Sequence, residues 1–120
     1  MDNKEFGKKL EKRTREFAVC IIRLSKQLPE TTEGRVIRNQ ITKSGSSIGA
    51  NYREANRARS KADFNNKISI CESEASETQY WLEIIKDLKW LPENKIKQEY
   101  DESGELLAIF TSIGKKGKQK

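Results

Sequence analysis

Residues 60–88 read SKADFNNKISICESEASETQYWLEIIKDL, and this stretch decides the fold. Phe64, Ile68, Cys71, Ala75, Thr78, Leu82 and Ile85 step 4-3-4-3-4-3, the spacing of a coiled-coil-like seam along one face of an α-helix. Ser60 is a good N-cap for it, and Asp63 three positions on makes a variant of the capping box. A second apolar stripe, Ile70, Trp81, Ile84 and Leu88, flanks the first. At 100° per residue the two together cover an arc of about 200°, nearly twice what one bundle core needs. This helix is therefore either the most buried of its bundle or an oligomer interface, and the second stripe favours the interface.

Working outward, three further helical segments separate. The first is expected from Asn3 to Leu28, ended by Pro29. Its core stripe reads Phe6, Leu10, Phe17, Cys20, Ile21, Leu24 and Leu28, with Lys4, Lys8, Lys12, Arg15, Arg23 and Lys26 on the opposite side. The second begins after a cap at Thr31 or Thr32, with Glu33 in its first turn, and runs to about Ala58. Ile37, Ile41, Ser44, Gly45, Ile48, Tyr52 and Ala55 face inward. Trp90, Leu91 and Pro92 turn the chain into the fourth helix, with Asn94 as a cap and Ile96, Tyr100, Leu107, Phe110 and Ile113 as a thinner stripe. Short connections imply antiparallel neighbours. The predicted fold class is all-α, an up-and-down antiparallel four-helix bundle formed by one domain over residues 1–114, followed by a basic disordered tail over 115–120.

Composition narrows the function. The 120 residues contain no histidine, which removes Ser-His-Asp and Cys-His triads, imidazole zinc sites and the Glu-x-x-His motif of di-iron bundles. Cys20 and Cys71 lie within apolar stripes without C-x-x-C spacing, so they read as small buried hydrophobes. No catalytic residue, metal or cofactor is expected. A carboxylate site from Glu54, Glu74 and Glu77 is the only metal set the sequence offers, and it lacks supporting ligands. No run is apolar enough to span a membrane and no apolar signal region follows the start, so the expected location is cytoplasmic.

The net charge of +6 is unevenly spread. Residues 1–60 carry fourteen Lys or Arg against seven Asp or Glu, whereas residues 61–110 carry six against eleven. Such asymmetry suits a polyanion-binding face or charge complementarity between subunits. Arg35, Lys43, Arg53 and Arg57 share one outer arc of the second helix, and Arg59 and Lys61 join them at the next junction. These six are the predicted nucleic-acid-binding residues. Few aromatics are interleaved with them, so stacking on single strands is poorly supported and shape recognition of structured RNA fits better. The small run Ser44, Gly45, Ser46, Ser47, Gly49, Ala50 allows either tight helix packing or close approach of a ligand. Ser47, Asn51, Glu54 and Glu77 are expected to form a structural polar core.

The stretch QITKSGSSIGANYREA and the two helices after it carry a resemblance. Ser47-Ile48-x-Ala50-Asn51-x-x-Glu54, Ser60-Lys61-x-Asp63-Phe64, Ser76-Glu77-Thr78 and Tyr80-Trp81-Leu82-Glu83 resemble the bacterial four-helix-bundle family first noticed as reading frames within 23S rRNA intervening sequences. The likeness spans roughly residues 15–113 without large gaps. It implies an up-and-down bundle that assembles into a ring, a homopentamer, and it names no activity. The chain is more distantly similar to the basic accessory protein of diversity-generating retroelements, which works with a reverse transcriptase and nucleic acid. Glu74 departs from the family pattern, where a small residue is common. The expected function is thus a non-enzymatic oligomer that binds structured RNA. The alternative is a protein-interaction scaffold or accessory subunit without direct nucleic-acid contact.

Overall fold

Four helices account for almost all of residues 2–118, which a computed structural model describes. They are α1 (Asn3–Ser25), α2 (Thr32–Ala55), α3 (Lys61–Asp87) and α4 (Lys97–Lys118), with a one-turn 3-10 helix at Glu93–Lys95. Their starts are where side chains can satisfy orphan amides. Asp2 accepts from the Glu5 amide at 2.7 Å, Thr31 from Gly34 at 3.0 Å and Ser60 from Asp63 at 3.0 Å. Gly34 is required because any side chain there would collide with the Pro29 carbonyl. The end of α3 closes as a Schellman motif, with Trp90 N–H donating to Ile85 O at 3.3 Å and Lys89 in the left-handed conformation (φ 57°).

Each helix packs mainly on its neighbours in sequence, giving the up-and-down antiparallel four-helix bundle the sequence predicts. Phe17, Ile21, Ile41, Ile48, Ile68, Leu82, Ile85, Leu106 and Phe110 are among the large members of its core. Tyr52 meets Phe110 edge-on at 5.4 Å between centroids. The seam of α1 against α2 is close enough that a Cβ on Gly45 would lie 2.7 Å from Ile21 Cγ2, and one on Gly49 would lie 3.0 Å from Thr14 Oγ1. The glycines of the small-residue run therefore face α1 and serve helix packing. Between α2 and α3, Thr78 Oγ1 donates to Ser44 Oγ at 2.9 Å and the Cys71 thiol reaches Ile48 O at 3.4 Å. Burial pushes the Cys71 thiol up to about 12, so it stays protonated as a core group. Across α1 and α4 the packing is sparse, and Arg13 bridges it with a bidentate pair to Glu102 (2.6 and 2.7 Å) and a bond to Glu105 (2.8 Å).

Several expectations are corrected. Helix α1 stops at Ser25 because Gln27 and Leu28 turn back with bonds to Leu24 O and Ser25 O, although Leu28 stays buried. Helix α2 ends at Ala55, three residues early. Phe6 belongs to the α1 stripe yet is 42% exposed. Cys20 is only half-buried, at the same open seam. The GKKGK stretch continues α4 to Lys118 rather than trailing off, held by Asn65 Nδ2 donating to Gly117 O at 3.1 Å. Residues 119 and 120 lie outside the described residues.

Candidate nucleic-acid interface

The antiparallel order brings the start of α1, the end of α2, the start of α3 and the end of α4 to one end of the bundle. Four of the six predicted contact residues collect there: Arg53 in the last turn of α2, Arg57 and Arg59 in the connection, and Lys61 opening α3. All are exposed. Lys43 lies midway along α2, and Arg35 is about 27 Å from Arg53 at 1.5 Å per residue. One footprint on this end therefore includes Arg53, Arg57, Arg59 and Lys61 and leaves Arg35 out. Lys4 and Lys8 of α1 and Lys115, Lys116 and Lys118 of α4 share the end. Chain order disperses these groups over more than a hundred residues. Only the alternation of helix direction, applied to charge, could have found them.

Most cations at this end are unpaired. Among the described residues, Arg57, Arg59, Lys61, Lys4, Lys8, Lys115, Lys116 and Lys118 have no ion pair, and Arg53 has only a 3.8 Å approach to Glu11. At the opposite end three cations are engaged, among the carboxylates of Glu30, Glu33, Asp87, Glu93, Glu99 and Asp101, while Arg23, Lys26, Arg35, Lys89 and Lys95 have no ion pair among the described residues. Lys86 pairs with Glu93 at 3.0 Å, Lys97 with Asp101 at 2.9 Å and Arg38 with Glu30 at 3.1 Å. Arg38 also donates to Ser25 O (3.1 Å) and Leu28 O (2.8 Å), so this arginine caps the carbonyl end of α1. Unpaired cations keep their full attraction for an outside polyanion, while paired ones are already neutralised.

The predicted polar core takes another form. Ser47 Oγ donates to Lys43 O at 2.6 Å and Asn51 Nδ2 to Ser47 O at 2.8 Å, both within α2. Glu54 is exposed and pairs with Lys67 at 3.0 Å, while exposed Glu77 accepts from Trp81 Nε1 at 3.0 Å. Within this chain each is satisfied locally, and no network joins them. The buried polar link is Ser44 to Thr78 instead. The carboxylates of Glu54, Glu74 and Glu77 do not converge, and no group of three or more metal-binding side chains assembles among the described residues. Burial, then the neighbouring Glu77, pushes the Glu74 carboxyl up from its ordinary value, and Lys43 of α2 opposes this.

The second stripe of α3 is uneven. Ile70, Trp81 and Ile84 are half-buried and Leu88 is 50% exposed, next to an equally open Tyr80 that meets Trp81 edge-on at 5.0 Å. No described helix is long and apolar enough to cross a membrane.

Fold and surface together define a class: an antiparallel four-helix bundle with a cluster of unpaired cations at one end. The model of the 23S rRNA-intervening sequence protein family matches residues 8–112, and the chain belongs to that family. It is similar to a crystal structure of a protein of unknown function from the S23 ribosomal protein family of Bacteroides thetaiotaomicron VPI-5482. The two share 40% identity and a TM-score of 0.81, over 88% of this chain and 97% of that one. No functionally curated protein matches the chain.

Proposed function

We propose that this chain is a non-enzymatic, cytoplasmic nucleic-acid-binding protein that holds the backbone of a structured RNA at the basic end of its bundle. The observation that carries this reading is the collection of exposed, mostly unpaired cations from all four helices on one end, Arg53, Arg57, Arg59 and Lys61 among them. Arginine suits the task because its planar fork bonds phosphate oxygens in pairs. The reading narrows the footprint from the whole basic side of α1 and α2 to their shared end. Binding should show in an electrophoretic shift with a structured RNA at about 50 mM salt and fall steeply as salt rises. Replacing Arg57 and Arg59 by alanine should lower the slope of log affinity against log salt by about two. Absence of any shift at that salt would end the proposal.

A second reading, self-association, rests on a different observation. Ile70, Trp81, Ile84 and Leu88 leave a partly open apolar strip on α3, in a domain whose small core gains from oligomerisation. With the basic end facing outward in the assembly, a homo-oligomer such as a pentamer would multiply the phosphate contacts. If assembly covered the cations instead, the protein would be a scaffold without nucleic-acid contact. Mass measurement in solution, alone and with Trp81→Ala, separates these cases.

A further inference from the structure

The sparse contact between α1 and α4 leaves a groove at the basic end, on the N-terminal side of Arg13. It encloses about 870 Å³. Phe6 of α1 forms one wall and Ile109 and Ile113 of α4 the other, over a floor of Tyr52 from α2 and Phe64 from α3, with Lys116 at the rim. Phe6 sits one turn before buried Leu10 on the same stripe, so its ring faces the bundle, yet it is 42% exposed. Asn3, Asn56 and Ser112 place amide and hydroxyl groups in the same lining. Lys4 follows Asn3 and Arg57 follows Asn56 in the chain, and both cations are exposed. The slot is thus apolar and aromatic inside, polar along its lining and cationic around its mouth.

Resting on the nucleic-acid reading above, we infer that this groove takes one unpaired base of the RNA, stacked against Phe6, while the surrounding cations hold its flanking phosphates. Charge complementarity selects the occupant. An apolar wall alone would accept many side chains, whereas a flat heterocycle carried between anionic phosphates matches aromatic wall, polar lining and basic rim together. The linear sequence argues against stacking because no aromatic lies among Arg53, Arg57, Arg59 and Lys61; the fold brings Phe6 to them from the other end of the chain. The bound element is accordingly a bulge or loop within a structured RNA, with paired regions gripped by backbone contacts alone.

Two RNA hairpins that differ by a single bulged nucleotide test this, read by fluorescence anisotropy at about 50 mM salt. The wild-type protein should favour the bulged hairpin by roughly tenfold, the scale of one base–aromatic stack. Phe6→Leu keeps apolar bulk but removes the stacking face. It should erase that preference while leaving affinity for the fully paired hairpin unchanged. Phe6→Trp should keep the preference. Helical circular dichroism and melting of each variant report folding separately. Equal binding of both hairpins by the wild type, or an unaltered preference in Phe6→Leu, overturns the base slot while the RNA reading stands. Failure of both hairpins to bind overturns both, and leaves the groove to an acidic protein segment.

Discussion

The α1–α2–α3 side of the bundle and the α1–α4 side use opposite means of holding helices together. On the first, Gly45 brings Ile21 within reach of the α2 backbone, and Ser44 and Thr78 exchange a buried hydrogen bond. On the second, two helices of similar length barely touch, and an arginine spans them to two glutamates. Close packing leaves no room for a ligand, because every atom already has a neighbour. A seam held by one long side chain leaves grooves on either side of it, and the basic one is where binding is proposed. Stability and recognition are thus divided between two faces of one small domain.

The same substitution should act with opposite sign at a tight position and at a loose one. Gly45→Ala forces a methyl into Ile21 and should cost about 1–3 kcal/mol, outweighing its better helix propensity. Gly114→Ala in α4 meets nothing closer than Ile68 Cγ2 at 3.8 Å, and should stabilise by up to about 1 kcal/mol. Urea unfolding of both variants checks the pair, and a stabilised Gly45→Ala would erase the contrast. Next in size is the ionic bridge. The guanidinium of Arg13 is held even more firmly charged than usual, first by its bond to Glu102, yet it is 37% exposed. Discounted for solvent, Arg13→Met should cost about 1 kcal/mol, with the difference from wild type shrinking in about 1 M salt. A salt-independent loss would mean that the arginine acts through packing of its stem.

The smallest effect concerns pH at the edge of the tight side. Burial raises the Glu74 carboxyl in the folded state, so the native protein binds that proton more tightly than the unfolded chain does. The stability tied to this proton is present in acid and lost as pH rises through the raised value. Glu74→Gln should therefore melt about 2 °C above wild type at neutral pH, with the advantage disappearing below the ordinary glutamate range. Thermal melts at pH 7 and pH 4 read this out; an equal gain at both would assign it to helix propensity instead.

Much of the architecture is legible in the chain itself. The 4-3 stepping from Phe64 to Ile85 and the cap at Ser60 are interactions within a few residues of one another, so local chemistry is enough to read them. Asn51 and Glu54 show the converse. Their margin position suggests a shared interior network, but each finds a partner on its own helix or the next one at the surface. Periodicity assigns Phe6 to the core, because it reports the direction a side chain faces and not whether a neighbour is there to cover it.

By itself, then, the sequence determined four amphipathic helices, the caps of α2 and α3 and the antiparallel order, because periodicity, capping and loop length are properties of contiguous residues, whereas the expected cap Asn94 lies inside the 3-10 turn before α4. Tertiary structure alone decided which helices close against each other, and that α1 and α4 do not. It also decided that Lys4, Arg57, Lys61 and Lys116 share one end of the bundle with Phe6. Those outcomes depend on distances between helices, set by where glycine permits contact and where an arginine must bridge a gap.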